Sequence, residues 1–356
     1  MADDVAIGRR QFIKKGALAI AGAATIGMLN PIPVKAKSQY LIRINNNFPD
    51  DELVPDVDKE FMELLRKYSK DEFKVTCFYN GALGNALEST QKLQVGSLEI
   101  ANVSNSNLTP FVPLFNVLAF PYATGGNISE ENGQKRGMEI VTSKIFQDTC
   151  VKSAHQKGLD IGFWTPIGFR QIFTGKHLGK IIKRPEDIKG VKVRVTGSYV
   201  ERKMFGFLGA NPVPIGWPET FTSLQTGICD ALHNSSVDLY SVNFQDIGSS
   251  MTYTNFYDTL NLYVTSGKWV ASLPSHLQKA YRRACNEAQE MQKSKKRERD
   301  AFCISKMKAA GIKYYTPTKE EAKLWYDAVN YNLPMWEPVI KKVAGDMDLF
   351  KKILSA

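Results

Sequence analysis

The chain has no CxxC pair and no CxxCH haem-attachment motif. Its five cysteines, Cys77, Cys150, Cys229, Cys285 and Cys303, are scattered. That spacing leaves no place for a metal ribbon, a dithiol redox pair or a c-type haem. They are expected to serve as small buried hydrophobes. A single disulfide is the alternative, and the sequence does not choose its pair. The four histidines (His155, His177, His233 and His276) show no metal-ligand spacing. GxSxG, HExxH, GxGxxG and the Walker loop are all absent, so no nucleophile–base or nucleotide signature appears. No metal and no cofactor are expected. Internal repeats and low-complexity tracts are also missing, as is a basic cluster interleaved with aromatics, and so no nucleic-acid partner is expected.

The chain also lacks a long apolar run. The most apolar stretch, 16–29, is 14 residues, short of the ~20 needed to span a bilayer. It follows Arg9-Arg10-Gln11-Phe12-Ile13-Lys14 and precedes Val34-Lys35-Ala36. This order resembles a twin-arginine export leader with a small-residue cleavage site. Residues 1–36 are therefore expected to be a signal peptide read by the twin-arginine translocase, with the mature chain beginning near Lys37. No cysteine precedes Cys77, which excludes a lipoprotein anchor at that site. The expected location is the periplasm, in soluble form.

What is present is ordinary globular material: 356 residues, 43% hydrophobic, enough for two domains with real cores. Net charge is +10. An anionic ligand is an economical reading of that balance, though charge alone does not establish it.

The middle of the chain carries most of the information. Val191–Val195 reads as a short buried strand with one out-of-pattern residue, Arg194. Ser198 is placed to cap a helix over Tyr199–Leu208, with apolar spacing at Val200, Met204 and Leu208, and Gly209 to stop it. Pro212 and Pro214 force an extended segment. Pro218 and Gly227 bracket another helix. Ile228–Leu232 reads as a second strand with Asn234 just past its end. Arg194 and Asn234 thus fall at or near strand carboxyl ends, where open α/β sheets bind ligands.

Upstream, strands are expected at Tyr40–Ile44, Phe73–Tyr79 and Leu98–Val103, with helices at Asp56–Tyr68 and Ala86–Val95. This is a doubly wound beginning. Asn45-Asn46-Asn47 and Ser104 follow strand ends, where turn chemistry is the competing explanation. Gly133–Lys157 reads as helix, Leu159–Trp164 as a strand, and Tyr253–Val264 as a crossing back. Leu273–Ala310 reads as a long helix whose Lys293–Arg299 run is expected to be a solvated face. A short strand at Tyr314–Thr316 and closing helices at Thr318–Val329 and Leu333–Met347 complete the chain.

PEDIKGVKVRV, LGANPVPI and ETFTSLQTGICDALHN, in that order, resemble the substrate-binding subunit of TRAP (tripartite ATP-independent periplasmic) transporters. GALGNALESTQKLQVGSLEIANVSNSNLTPFVPLFNVLAFPY and YTNFYDTLNLYVTSGKWVASLP extend the likeness on either side. The resemblance implies an α/β, two-domain periplasmic-binding-protein (Venus-flytrap) fold with a ligand cleft between the domains and a long helix spanning both. Domain I would hold 37–165 plus about 255–300, and domain II 166–254 plus about 301–356. The implied function is capture of a small organic acid anion for delivery to the small and large TRAP permease subunits. In the family the arginine matching Arg194 clamps the ligand carboxylate, and Arg170 matches a second arginine at the pocket edge. An arginine fork suits a carboxylate, while the residue-level alternative for Arg194 is an internal ion pair. Asn234, Trp217, Ser104 and Asn45 complete the expected ligand set. The family's usual Glu-Asn-Pro is His233-Asn234-Ser235 here, which puts the local loop geometry and any role of His233 in question. Two other readings stay open: an exported enzyme acting on a small organic acid, since the twin-arginine route often serves cofactor enzymes, and a receptor for an ATP-driven transporter or sensor.

Overall fold

The computed structural model describes residues 39–50, 57–125 and 130–356. The expected export leader lies outside them. The strands in chain order are β1 (Tyr40–Asn45), β2 (Phe73–Phe78), β3 (Ile100–Ser104), β4 (Leu159–Phe169), β5 (Gln171–Gly175), β6 (Lys192–Val195), β7 (Asn211–Pro214), β8 (Ala231–Asn234), β9 (Gly248–Thr252), β10 (Asp258–Ser266) and β11 (Lys313–Tyr315). They form two sheets, ordered β2-β1-β3-β10-β4 and β11-β9-β5-β8-β6-β7. β1 runs parallel to β2 and β3, and β10 enters antiparallel between β3 and β4. In the second sheet β6 is parallel to β7 and β8, while β5 is antiparallel to β8 and β9.

Local chemistry sets most of these elements. The helix Val57–Ser69 buries Phe61, Leu64 and Leu65 against the first sheet. Helix Ala86–Val95 opens on an Asn85–Glu88 capping box and ends at Gly96, whose φ of 82° a Cβ would disfavour. Helix Tyr199–Phe207 starts where Ser198 accepts a hydrogen bond from Glu201 N, and it buries Val200, Met204 and Phe205.

The chain passes between the sheets twice by neighbouring routes. β4 runs on into β5 through Arg170, and β9 returns to β10 through 253–257. β4 and β10 are paired from Asp258↔Phe169 to Ser266↔Leu159. Arg170 N donates to Tyr257 O at 3.0 Å. A third crossing is the 35-residue helix Ser275–Ala309, about 50 Å long at 1.5 Å per residue. Its first half packs Leu277, Tyr281 and Ala284 with the first sheet's core. Its last turns pack Cys303 and Met307 with the second's. Among the described residues no helix is long and apolar enough to cross a membrane, and the five cysteines form no disulfide.

Several expectations need correction. The Lys293–Arg299 run is not wholly solvated: Lys296 and Arg299 are only 4% and 3% exposed. They lie on one face of the long helix where it passes the cleft, and Arg299 donates to Gln292 Oε1 and Pro166 O. The strand expected at Ile228–Leu232 lies at Ala231–Asn234, because Gly227 turns with φ 76° and leaves Ile228 exposed. Asn234 is therefore the strand's last residue. The helix expected over Gly133–Lys157 breaks at Ser143, which caps a new turn, and passes through a π-helical turn at Gln147–Val151. The closing helix expected over Leu333–Met347 divides at Gly345, and Asp346 caps a fresh helix, Met347–Leu354. β5 and β9 were not anticipated.

Candidate functional site

The ends of β1, β3, β6 and β8 converge with the Arg170 junction on a cavity between the sheets. Of the six residues expected at a ligand, Arg194, Arg170, Asn234, Trp217 and Ser104 line it. A wider chamber adjoins it and shares Phe48, Asn102, Asp238 and Asn261 with it.

Arg194 projects from β6 and is 2% exposed. Its Nε donates to Ile215 O at 2.9 Å, and its guanidinium sits 5.5 Å from the Trp217 ring centroid. Among the described residues its two terminal nitrogens hold no hydrogen-bond partner. Burial pushes the group down to about 10 and nearby Arg170 adds to this, against the pull of Glu201. It is a charged fork, held at one end, with its other end uncommitted. Such a group is costly to bury unless a partner arrives.

Arg170 is also 2% exposed, but its charge is compensated. Its Nη1 donates to His233 O at 3.0 Å, and the guanidinium lies 5.8 Å from the Tyr257 ring centroid. Burial lowers its pKa, yet Tyr257, Glu201 and Asp238 together outweigh this and raise it. Its Nε lacks an acceptor. Glu201 is the hub below it. Its carboxylate accepts from Thr196 N at 2.9 Å, Thr196 Oγ1 at 2.8 Å and Tyr257 OH at 2.5 Å. His233 Nε2 lies 3.2 Å from Glu201 Oε2. Burial alone would raise Glu201, but His233, Arg170 and these hydrogen bonds hold it well below the usual carboxylate range. His233, fully buried, is pushed down to about 4 by desolvation despite Glu201. It is thus a neutral structural partner at neutral pH, in the position where the family usually has glutamate.

Asn234 lines the cavity, and its Oδ1 accepts from Ser235 N at 2.9 Å. Asp238 lies in the first turn of the helix Ser236–Ser241 and is 5% exposed. Burial pushes it up to about 6, moderated by Arg170, Asn234, Arg299 and Arg194. A carboxyl group on the cavity wall was not foreseen, because after Ser235 it reads as an ordinary first-turn acid.

Trp217 begins the helix Trp217–Gln225, with Pro218 in its first turn. Its ring stacks on Phe244 at 5.6 Å and tilts against Phe48 at 5.6 Å, while its Nε1 finds no acceptor. Ser104 caps the short helix after β3, accepting from Asn107 N at 3.3 Å, so it serves the turn as well as the wall. Asn45 is the exception. It is fully buried, but its Nδ2 donates to Gly84 O and Ser89 Oγ, and its Oδ1 accepts from Leu83 N. Every polar atom of that amide is occupied in bracing the 81–89 turn, and Asn45 does not line the cavity. Its neighbour Asn47 does. Asn102 and Asn261, on adjacent strands, were missed as well. Each is a polar residue inside an apolar strand, the signal that singled out Arg194. Among the described residues no group of three or more His, Cys, Asp or Glu is placed to hold a metal ion.

A family model described as bacterial extracellular solute-binding protein, family 7, matches residues 45–338. The chain is similar to the 2,3-diketo-L-gulonate-binding periplasmic protein YiaO of Escherichia coli (strain K12). The two are 25% identical over 296 residues, covering 83% of this chain and 85% of that one. In structure it is similar to the sugar acid binding protein DctPAm of Advenella mimigardefordensis strain DPN7T in complex with galactonate. The TM-score is 0.81 at 24% identity, over 89% of this chain and 97% of that one. It is also similar to a TRAP periplasmic solute binding protein of Sulfurospirillum deleyianum DSM 6946 with bound succinate. There the TM-score is 0.78 at 22% identity, over 89% and 98% of the two chains.

Proposed function

The chain belongs to the bacterial extracellular solute-binding proteins of family 7, and from that premise we propose that its cleft captures a small organic acid anion for a TRAP permease. It is a binding protein of a transport system and not an enzyme. The observation that carries the ligand class is Arg194, a buried guanidinium with two uncommitted nitrogens on the cavity wall. A carboxylate supplies both the missing charge and two acceptors in matching geometry. Arg170 is a second contact through its unpartnered Nε, and Trp217 closes one side. Ser104 and Asn234 shape the wall. Relatives named for 2,3-diketo-L-gulonate, galactonate and succinate are compatible with this class. Thermal-shift titration across an organic-acid panel tests the reading directly. If no carboxylate raises the melting temperature of the folded protein, the reading fails.

The mechanism proposed is closure of two domains, 37–165 plus about 255–300 and 166–254 plus about 301–356, around the ligand. Ser104 comes from one set, and Arg194, Trp217 and Asn234 from the other. A ligand touching both binds the closed form better than the open one, and only that difference shifts the equilibrium. The paired crossings near 164–169 and 253–264 would absorb the rotation. X-ray scattering should show a smaller radius of gyration with ligand, and Arg194→Ala should lose that compaction at concentrations saturating the wild type. An unchanged radius with the pocket full would mean a rigid site.

Export to the periplasm by the twin-arginine translocase is proposed from Arg9 and Arg10. Replacing both with Lys should leave the precursor in the cytoplasm. Normal periplasmic accumulation of that variant would argue for another route.

A further inference from the structure

An aromatic ring reaches across the cleft. Phe48 follows β1, and its backbone is tied to its own side. Phe48 N donates to Asn46 Oδ1 at 3.1 Å, and Asn80 N donates to Phe48 O at 2.9 Å. Pro49 after it disfavours a helical backbone at Phe48. Yet the ring packs with the second sheet's core. It lies 5.6 Å from the Trp217 ring, which stacks in turn on Phe244 at 5.6 Å. The neighbouring turn abuts the same helix start: a Cβ on Gly81 would come 3.5 Å from Pro218 Cγ.

Phe48 is thus carried by the first sheet and docks on the second. The Trp217 ring receives Phe48, Phe244 and, at 5.5 Å from its centroid, the Arg194 guanidinium. The dock and the anion clamp therefore share one side chain. In an opened cleft the facing surfaces of Phe48 and Trp217 meet water. Closing covers them whatever lies inside, and apolar burial of this kind favours the shut form. Closing an empty cleft also buries the Arg194 fork without an anion to meet it, and a buried charge without a partner opposes closure. The two opposed terms make shutting conditional on an anion.

We infer that Phe48 is a closure latch, a positioning residue that holds the cleft shut through Trp217 without itself selecting the ligand. This rests on the organic-anion and two-domain closure reading given above. A contact present in every closed complex and absent from every open one adds the same free energy whatever the anion. Its loss lowers the closed fraction by one common factor, and apparent affinity falls with it. The loss falls on dissociation, because the latch breaks when the filled cleft opens, while the encounter with an open cleft does not use it. Phe48 also lines the cavity and the chamber beside it, so direct contact with the ligand is the competing role. A residue in that role would change affinity acid by acid.

The test is stopped-flow tryptophan fluorescence on the mature protein with succinate, erythronate and galactonate, beside calorimetric affinities. Phe48→Ala should weaken every acid that binds by the same factor, ~10-fold, nearly all of it as faster dissociation. Phe48→Leu and Phe48→Val trim the ring in steps and keep apolar bulk, so they carry the comparison even where the alanine variant does not fold. Their dissociation rates should fall between wild type and alanine, with leucine nearer wild type. Wild-type dissociation rates in these folded variants would overturn the latch. So would a loss carried by association alone, or losses that differ between acids by more than ~3-fold, which would make Phe48 a ligand contact. Each of those results leaves the receptor reading standing. Failure of all three acids to bind folded wild type would overturn the organic-anion reading, and this inference with it.

Discussion

Arg194→Ala is expected to cost about 2–5 kcal/mol of ligand binding, roughly 30-fold or more in affinity. The side chain is buried, its Nε is spent on Ile215 O, and its remaining nitrogens have no partner within the described structure. The contact with ligand is therefore a charge-assisted pair formed out of water, where such bonds are strongest. Part of the loss in the alanine variant is the ligand's carboxylate left in a cavity without its counter-charge. Arg194→Lys should also bind weakly, because an ammonium group is a point charge and cannot offer two parallel donors. The lysine would also lose the planar face that lies over Trp217. Unliganded stability should not fall in proportion, since burial without a matched partner already disfavours this arginine. Calorimetric titration beside denaturant unfolding separates the two effects. Wild-type affinity in the alanine variant would remove Arg194 from the site.

What made Arg194 legible was contrast and place: a charged residue between valines, near the carboxyl end of a strand. Asn102 and Asn261 offer the same contrast in IANVS and LNLYV. They went unread because asparagine near a strand end has a common turn explanation that arginine lacks. Asn45 shows the limit from the other side. Three consecutive asparagines end and follow β1, and only the folded 81–89 turn decides that the first braces backbone while the third reaches the cavity. Asp238 was hidden by a valid local reading, since an acid after Ser235 fits a helix start. β5 and β9 escaped because their pairing joins residues 171–175 to 248–252, and no local period records that. The long helix was legible by length, but the burial of Lys296 and Arg299 depends on the cleft it crosses.

The second large effect concerns stability. Glu201→Gln is expected to destabilise the protein by about 3–5 kcal/mol at pH 7, the cost typical of breaking a buried charge pair from one side. Glu201 is fully buried and accepts from Thr196 and Tyr257, with His233 Nε2 at 3.2 Å. A glutamine offers one oxygen, and its NH₂ would meet groups that are themselves donors. Arg170 would keep Asp238 and the Tyr257 ring but lose its strongest anionic neighbour at the hub. The pH dependence has a definite sign. The Glu201 pKa is depressed in the fold, so its contribution is fully present above the unfolded value near ~4.3 and is lost as pH falls through the folded value. His233 is depressed to about 4, so between about 6.5 and 4 the unfolded chain binds a proton that the native state refuses, and stability falls with pH there. Down to about pH 5 that loss comes from the burial of His233 and should appear in wild type and variant alike, so the difference between the two should stay constant from pH 8 to about 5. Below about 4 only the wild type keeps Glu201 to help His233 take up its proton. Guanidinium unfolding followed by tryptophan fluorescence at stepped pH measures the difference. A variant within 1 kcal/mol of wild type at pH 7 would show that Glu201 is not the charge holding Arg170 beneath the cavity.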